Sequence, residues 1–90
     1  MNHLHYQFEA SPGDIIEVTV DRAANVQLLD PDNYDNYING RTYHYVGGYA
    51  TSSPVRFAID RPGLRHVVID LGGGAGRVRA TAGLISSVAR

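Results

Sequence analysis

The chain has 90 residues, no cysteine, and nine acidic side chains against eight arginines, which gives a formal net charge of −1. This length fits one domain over residues 1–90, and the lack of cysteine excludes disulfide frameworks and thiolate metal sites. The charges are spread along the chain, so neither nucleic-acid binding nor a polybasic membrane anchor is indicated.

No targeting signal is recognisable in the sequence. Residues 1–6 lack the basic segment and apolar run of a signal peptide, and no stretch approaches the ~20 apolar residues of a membrane span. We therefore expect a cytoplasmic protein without membrane partners.

Short alternating runs separated by proline, glycine, asparagine and aspartate dominate the first third of the chain. Such runs are typical of antiparallel strands. Residues 3–8 predict a first strand with Leu4, Tyr6 and Phe8 on one face. A proline-glycine turn follows, and residues 15–20 and 25–30 predict the next two strands.

The middle of the chain changes in character. Residues 30–40 are rich in asparagine and aspartate and predict a loop, with at most one helical turn capped by Asp30 and two tyrosines facing inward. Residues 41–46 predict a fourth strand, which Gly47 and Gly48 break.

Three more strands are predicted in the last third: residues 54–59, a strand through Val67 and Ile69, and residues 77–82 or slightly beyond. The glycine-rich segment 72–76 joins the last two. Their expected core side chains are Val55, Phe57, Ile59, Val67, Ile69, Leu71, Val78 and Ala80. Seven strands predict an all-β fold, a small antiparallel β-sandwich of jelly-roll type.

Residues 67–76 also look like the cofactor loop of methyltransferases that use S-adenosylmethionine, in which a strand ends in an acidic residue before glycines. Only fourteen residues follow Gly76, and they alternate like a strand. No room remains for the further βα units of such a fold. A hairpin loop explains the same residues.

Two groups of residues invite a metal interpretation. The segment Asp30–Asp35 is rich in carboxylates, but the EF-hand pattern is broken, so a solvated turn is favoured and a looser divalent site stays open. His3 and His5 share one face of the first strand, opposite its apolar residues, as His44 and His66 do on theirs. We expect exposed histidines on polar sheet faces there, and no metal site.

Hydrolytic chemistry has no recognisable signature, because no nucleophile elbow of the Gly-x-Ser-x-Gly type occurs. No catalytic residue and no cofactor are predicted. A small metal-dependent or hydrolytic enzyme using His3, His5 or the Asp30–Asp35 segment remains the alternative function.

A binding face is favoured over an enzymatic site. Tyrosine and arginine dominate binding hot spots, and tyrosine rings stack on sugars, bases and peptides. The predicted ligand-binding residues are Tyr34, Tyr37, Arg41, Tyr43, His44, Tyr45 and Tyr49. Core packing of the tyrosines is the competing explanation. A second candidate surface, which could bind phosphate or carboxylate, carries Arg56, Arg77 and Arg79.

The chain also resembles a known family. The resemblance is carried by Asn25-Val26-x-Leu28-Leu29-Asp30, Asn33-Tyr34-x-Asn36-Tyr37, Gly40-Arg41, Tyr45-x-Gly47-Gly48, Ser53-Pro54-Val55 and residues 63–70. Together they are similar to the bacterial domain-of-unknown-function family eighteen eighty-three. The resemblance implies a compact β-sandwich, in some bacterial proteins attached to a Toll/interleukin-receptor domain. It implies no activity or site residue, and the attachment hints at an accessory recognition role.

We therefore expect a non-catalytic binding or interaction module, whose partner is a ligand, another protein or a second copy of itself. Homo-oligomers are possible because small sandwiches expose edge strands. Residues 77–82 or the first strand would be the natural edge.

Overall fold

The computed structural model describes residues 3–72 and 76–87, and they form seven strands in two antiparallel sheets with one short helix. The elements in chain order are β1 (Leu4–Ala10), β2 (Ile15–Val20), β3 (Ala24–Leu29), α1 (Pro31–Ile38), β4 (Val46–Ala50), β5 (Val55–Ala58), β6 (Gly63–Asp70) and β7 (Ala80–Ile85). The fold is thus mostly β and sandwich-like, as predicted, with a helix added.

The sheets differ in width. The first sheet has four strands in the order β1-β6-β3-β4, and the second has three in the order β5-β2-β7. On one side of the sandwich β1 approaches β7, where the Tyr6 hydroxyl donates a hydrogen bond to the Ala80 carbonyl over 3.1 Å. The other two edge strands, β4 and β5, lie on the opposite side and flank a groove.

Side chains that alternate along the strands fill the space between the sheets. The fully buried members include Ile16, Val18, Val26, Val67 and Ile69. Burying a side chain of this size contributes about 1.5–3 kcal/mol. The inward sets predicted for the first, fifth, sixth and last strands are confirmed, because all pack in or against this core.

A second apolar cluster lies on the outer face of the first sheet, where α1 covers it. Leu29, Tyr37 and Val68 are buried there, and Tyr34 and Tyr43 pack against them. The central strands β3 and β6 are therefore buried on both faces. This explains why their sequences alternate less clearly than the others.

Helix α1 replaces the predicted loop, and its cap at Asp30 is confirmed. The Asp30 carboxylate accepts a hydrogen bond from the Asn33 backbone N–H over 2.8 Å, and Pro31 occupies the first turn. Both features favour helix initiation. The helix ends at Asn39, before Gly40 turns the chain with φ +71°. Among the described residues no helix is long and apolar enough to cross a membrane.

The predicted fourth strand is wrong, because β4 begins only at Val46. Residues 41–45 bond to α1 instead of a strand: the Arg41 backbone N–H donates to the Asn36 carbonyl, and the His44 N–H donates to Asn33 Oδ1. The two glycines that should break the strand lie inside it, opposite Gln27 and Val26.

The last strand is also shifted, to Ala80–Ile85 rather than 77–82. Backbone and side-chain bonds tie residues before it to the loop after β2: Arg22 donates to the Arg77 carbonyl, and the Arg79 N–H donates to the Asp21 carboxylate. The predicted hairpin between the last two strands is wrong, because β6 lies in the four-stranded sheet and β7 in the three-stranded one. Of the predicted loop 72–76, residues 73–75 lie outside the described residues.

Candidate functional site

A groove of about 720 Å³ opens between β4 and β5, where β3 ends and β6 begins. Four of its lining residues are buried and apolar: Leu28, Leu29, Phe57 and Ile59. Its exposed members include Tyr45 and His44. The groove therefore combines an apolar floor with a polar, aromatic rim, which is the usual composition of a ligand site.

Three arginines line the groove, and their partners differ. The Arg56 guanidinium donates to the Glu17 carboxylate over 2.8 Å, so its charge is compensated. Arg61 is exposed, and its side chain has no carboxylate partner within residues 3–72 and 76–87.

Arg65 differs from the other two arginines because it occupies an inward-facing position of β6. It alternates with Val67 and Ile69, whose side chains lie in the core between the sheets. Arg65 is half-buried, and among the described residues its guanidinium donates only to backbone carbonyls, those of Arg61 over 3.0 Å and Leu64 over 3.3 Å. No carboxylate of the described chain neutralises it.

Acidic side chains also reach the groove. Asp30 lines it but uses one carboxylate oxygen to cap α1, and Asp60 is exposed on the opposite wall. Since Glu17 already balances Arg56, the lining is close to neutral overall.

A second cluster, outside the groove, lies between α1 and the first sheet. His5 Nε2 and His66 Nδ1 are 2.7 Å apart and share a hydrogen bond; we call these residues the histidine pair. The Tyr34 ring lies 4.3 Å from each imidazole, at interplanar angles of 12° and 5°. His66 is buried, whereas His5 keeps an exposed edge. One helix residue therefore covers both rings.

The environment of the histidine pair disfavours charge. Burial lowers the pKa of His5, and the neighbouring His66 and His3 lower it further. Burial lowers the pKa of His66 as well, while the Asp30 carboxylate acts in the opposite direction. Both rings therefore prefer the neutral state in the folded chain.

A polar contact beside this cluster fixes α1 to β6. The Tyr37 hydroxyl donates to the Asp70 carboxylate over 2.8 Å, and burial, followed by this hydrogen bond, raises the pKa of Tyr37. The His3 ring packs edge-on against Tyr37 with centroids 5.3 Å apart. His3 Nδ1 is buried and has no hydrogen-bond partner among the described residues.

Comparison with known proteins gives a family but no activity. Residues 1–87 match the family model described as Domain of unknown function (DUF1883). The chain belongs to this family. No curated protein and no solved structure matches it. The function of this DUF1883 domain must therefore be argued from its own geometry.

The predicted ligand-binding residues of the DUF1883 domain fall into separate places. Tyr34, Tyr37, Tyr43 and Tyr45 form a row of ring contacts with centroid separations of 6.5, 5.2 and 5.6 Å. The first three pack on the sheet, and the Tyr43 hydroxyl donates to Gln27 over 3.1 Å. Only Tyr45 reaches the groove from this row.

The other three predicted residues diverge. His44 lines the groove next to Tyr45. Arg41 lies outside the groove and pairs with Asp35 over 2.6 Å. Tyr49 lies on β4 and is 69% exposed, without a ring contact in the part of the chain that is described. A binding role for the whole set stays a prediction.

Sequence reasoning missed two residues of these sites. Arg65 could have been found, because it is a charged residue on the same face of the strand as the core residues Val67 and Ile69. The prediction of exposed histidines is wrong for His66, because α1 covers that face of the sheet. No sequence signal showed where the helix would pack.

Metal binding gains no support from the arrangement. In residues 3–72 and 76–87, no group of three or more histidine, aspartate or glutamate side chains is placed to hold a metal ion. Asp30 caps α1 and Asp35 pairs with Arg41, so two of the three carboxylates in the segment considered for a divalent ion have protein partners.

Proposed function

We propose that this DUF1883 domain is a non-catalytic binding module that takes a carboxylate- or phosphate-bearing partner in the groove between β4 and β5. The observation that carries the proposal is Arg65, a half-buried residue of the groove whose guanidinium has no carboxylate partner among the described residues.

Removing a charged group from water is unfavourable unless a counter-charge or hydrogen bonds replace the water. A guanidinium has five N–H donors, and Arg65 directs two hydrogen bonds to carbonyls. The remaining donors match the planar geometry of a carboxylate or a phosphate, which arginine binds through paired hydrogen bonds.

The apolar part of a ligand would contact the aromatic side of the groove. Tyr45 is 49% exposed beside the buried Phe57 and Ile59. Tyrosine rings provide contact area at a small entropic cost, which suits a planar or aliphatic ligand body. Asp30 and Asp60 disfavour a polyanion, so a ligand with a single acidic group fits best.

The lining residues support binding rather than catalysis. None of the described residues of the groove is a serine, threonine or cysteine, so the groove holds no hydroxyl or thiol nucleophile of the usual kinds apart from the Tyr45 phenol. His44 is exposed, and only its backbone is fixed, through the bond to Asn33.

Thermal unfolding with benzoate and with phenyl phosphate tests the proposal, since each probe carries one acidic group and an aromatic ring. Chloride at equal ionic strength is the reference. Arg65→Gln removes one positive charge from the groove. Arg79→Gln removes an exposed arginine of the second candidate surface, outside the groove, so the pair of variants separates the two surfaces. At tenfold excess over Kd, binding stabilises the folded state by about 1.4 kcal/mol.

We expect benzoate and phenyl phosphate to raise the thermal unfolding midpoint of the unmodified chain and of the control variant R79Q, but not that of R65Q. Equal responses of all three proteins to the probes and to chloride would contradict the assignment of the groove.

A further inference from the structure

We propose that the histidine pair is an acid-sensitive contact, which holds α1 on the first sheet when neutral and releases Tyr34 when both rings are protonated. The inference rests on the placement of His5, His66 and Tyr34 and does not require a ligand in the groove.

The proton content of the pair follows from its geometry. At 2.7 Å, one of the facing nitrogens must donate and the other must accept, so a single proton lies between His5 Nε2 and His66 Nδ1. A first added proton is tolerated, because a charged ring can donate to a neutral one. A second added proton places two N–H groups face to face, and the hydrogen bond is lost.

Tyr34 is the link between this event and the helix. Its ring stacks over both imidazoles, so separation of the two histidines removes the surface on which the Tyr34 ring packs. Two other contacts hold α1: Tyr37 packs with Leu29 and Val68 and bonds to Asp70, and Asn33 accepts the hydrogen bond from the His44 backbone N–H. We therefore expect the first turns of α1 to loosen while the end near Tyr37 stays attached.

The surrounding groups set the direction of the effect. His3 on the β1 side adds positive charge when protonated, whereas Asp30 at the start of α1 favours a charged His66. The Tyr37 phenol is neutral, and the neighbours of His66 across the sheet, Gln7 and Leu29, are uncharged. Asp30 therefore assists the first protonation. Asp70, on the same face of β6, accepts the Tyr37 bond, and within residues 3–72 and 76–87 no carboxylate other than Asp30 acts on the pKa of either histidine.

The sign follows from linkage. Burial lowers the pKa of both histidines below 6.5, the value in the unfolded chain. The contact is therefore fully formed above about pH 6.5 and weakens as the pH falls below that value, since the opened form binds more protons. Each extra proton changes the opening equilibrium by up to about tenfold per pH unit.

Release of α1 would also change the groove. Asp30 and Asn33 belong to its lining, and Asn33 accepts the hydrogen bond that positions His44. Acid would thus alter one wall of the groove; this consequence rests on the proposed function, whereas the release itself does not.

Amide hydrogen exchange by NMR between pH 7.5 and 5, expressed as protection factors, measures the release directly. The variant His5→Gln keeps a hydrogen-bonding side chain at an exposed position of an edge strand. Because glutamine does not take up a proton, only His66 of the pair can still be protonated. His44→Gln is the matched control, because it removes a histidine outside the pair. One set of samples contains a chelator, and a second set contains zinc in place of the chelator.

We expect protection around Tyr34 to fall about tenfold or more in the unmodified chain and in H44Q, with strands β2 and β7 unchanged, and to fall severalfold less in H5Q. Three results overturn the proposal: an equal fall in H5Q, a simultaneous loss of protection in β2 and β7, or a fall that zinc abolishes, which would make the pair a metal ligand.

Discussion

Tyr37 donates a hydrogen bond to one carboxylate oxygen of Asp70 over 2.8 Å, and this contact joins α1 to β6 beside a buried apolar cluster. The other oxygen of Asp70 accepts from the Asn25 side chain and the Gly72 backbone N–H, over 2.9 and 2.8 Å. One carboxylate therefore connects the helix, the β3 strand and the chain that leaves β6.

Replacing Tyr37 by phenylalanine should leave an oxygen of Asp70 short of a donor in a buried place. Loss of such a bond costs about 1–3 kcal/mol. Denaturant unfolding measures the change, and Tyr45→Phe is the control, because its hydroxyl makes no hydrogen bond within the described residues. A cost for Y37F no larger than that for Y45F contradicts this role.

The same tyrosine should ionise only at high pH. Burial and the Asp70 bond raise the pKa of Tyr37 above its value of 10.0 in an unfolded chain. The folded state therefore keeps the neutral phenol, and stability should decline above about pH 10. Near-ultraviolet titration and unfolding at several alkaline pH values check this, and Y37F should lose both the late phase and part of the decline.

The start of α1 offers a separate test. Asp30 accepts hydrogen bonds from the Asn33 backbone N–H and side-chain amide over 2.8 and 3.0 Å. Asp30→Ala should cost about 0.5–2 kcal/mol, and Asp30→Ser should retain much of the stability, because serine is also a good cap. If unfolding free energies of the two variants are equal, the side chain does not cap the helix.

Glycine is required at position 47 of β4. Its φ is +110°, and a Cβ atom there would collide with the Val26 carbonyl oxygen. Gly47→Ala should cost at least the 1–3 kcal/mol typical of a strained backbone. Gly83→Ala is the control, because that site has no neighbour within 4 Å and no positive φ. Equal unfolding midpoints for the two variants would contradict the requirement.

The two-layer fold was predictable because its inward side chains repeat every second residue. Val55, Phe57 and Ile59 show this pattern, and each packs in or against the core. Asp30 was also recognisable as a helix cap. What failed was the length of the helix, since its stability depends on Tyr34 and Tyr37 packing on a distant strand, which local propensity does not describe.

The sites were less accessible to sequence reasoning. His5 and His66 are 61 positions apart and meet only because β1 pairs with β6. The residues 41–45 looked like a strand by alternation, but bonds from Arg41 and His44 to α1 hold them elsewhere. Long-range strand pairing decided the first case, and contacts with a helix that the sequence did not predict decided the second.

The most direct test of the groove is NMR observation of the arginine Nε–H signals during titration with benzoate. The chain has eight arginines and no lysine, so the spectrum is simple. We predict that the Arg65 signal shifts saturably and by more than the Arg79 signal. The shifting signal should be absent from the spectrum of R65Q. Small, linear and equal shifts at both residues would contradict the account.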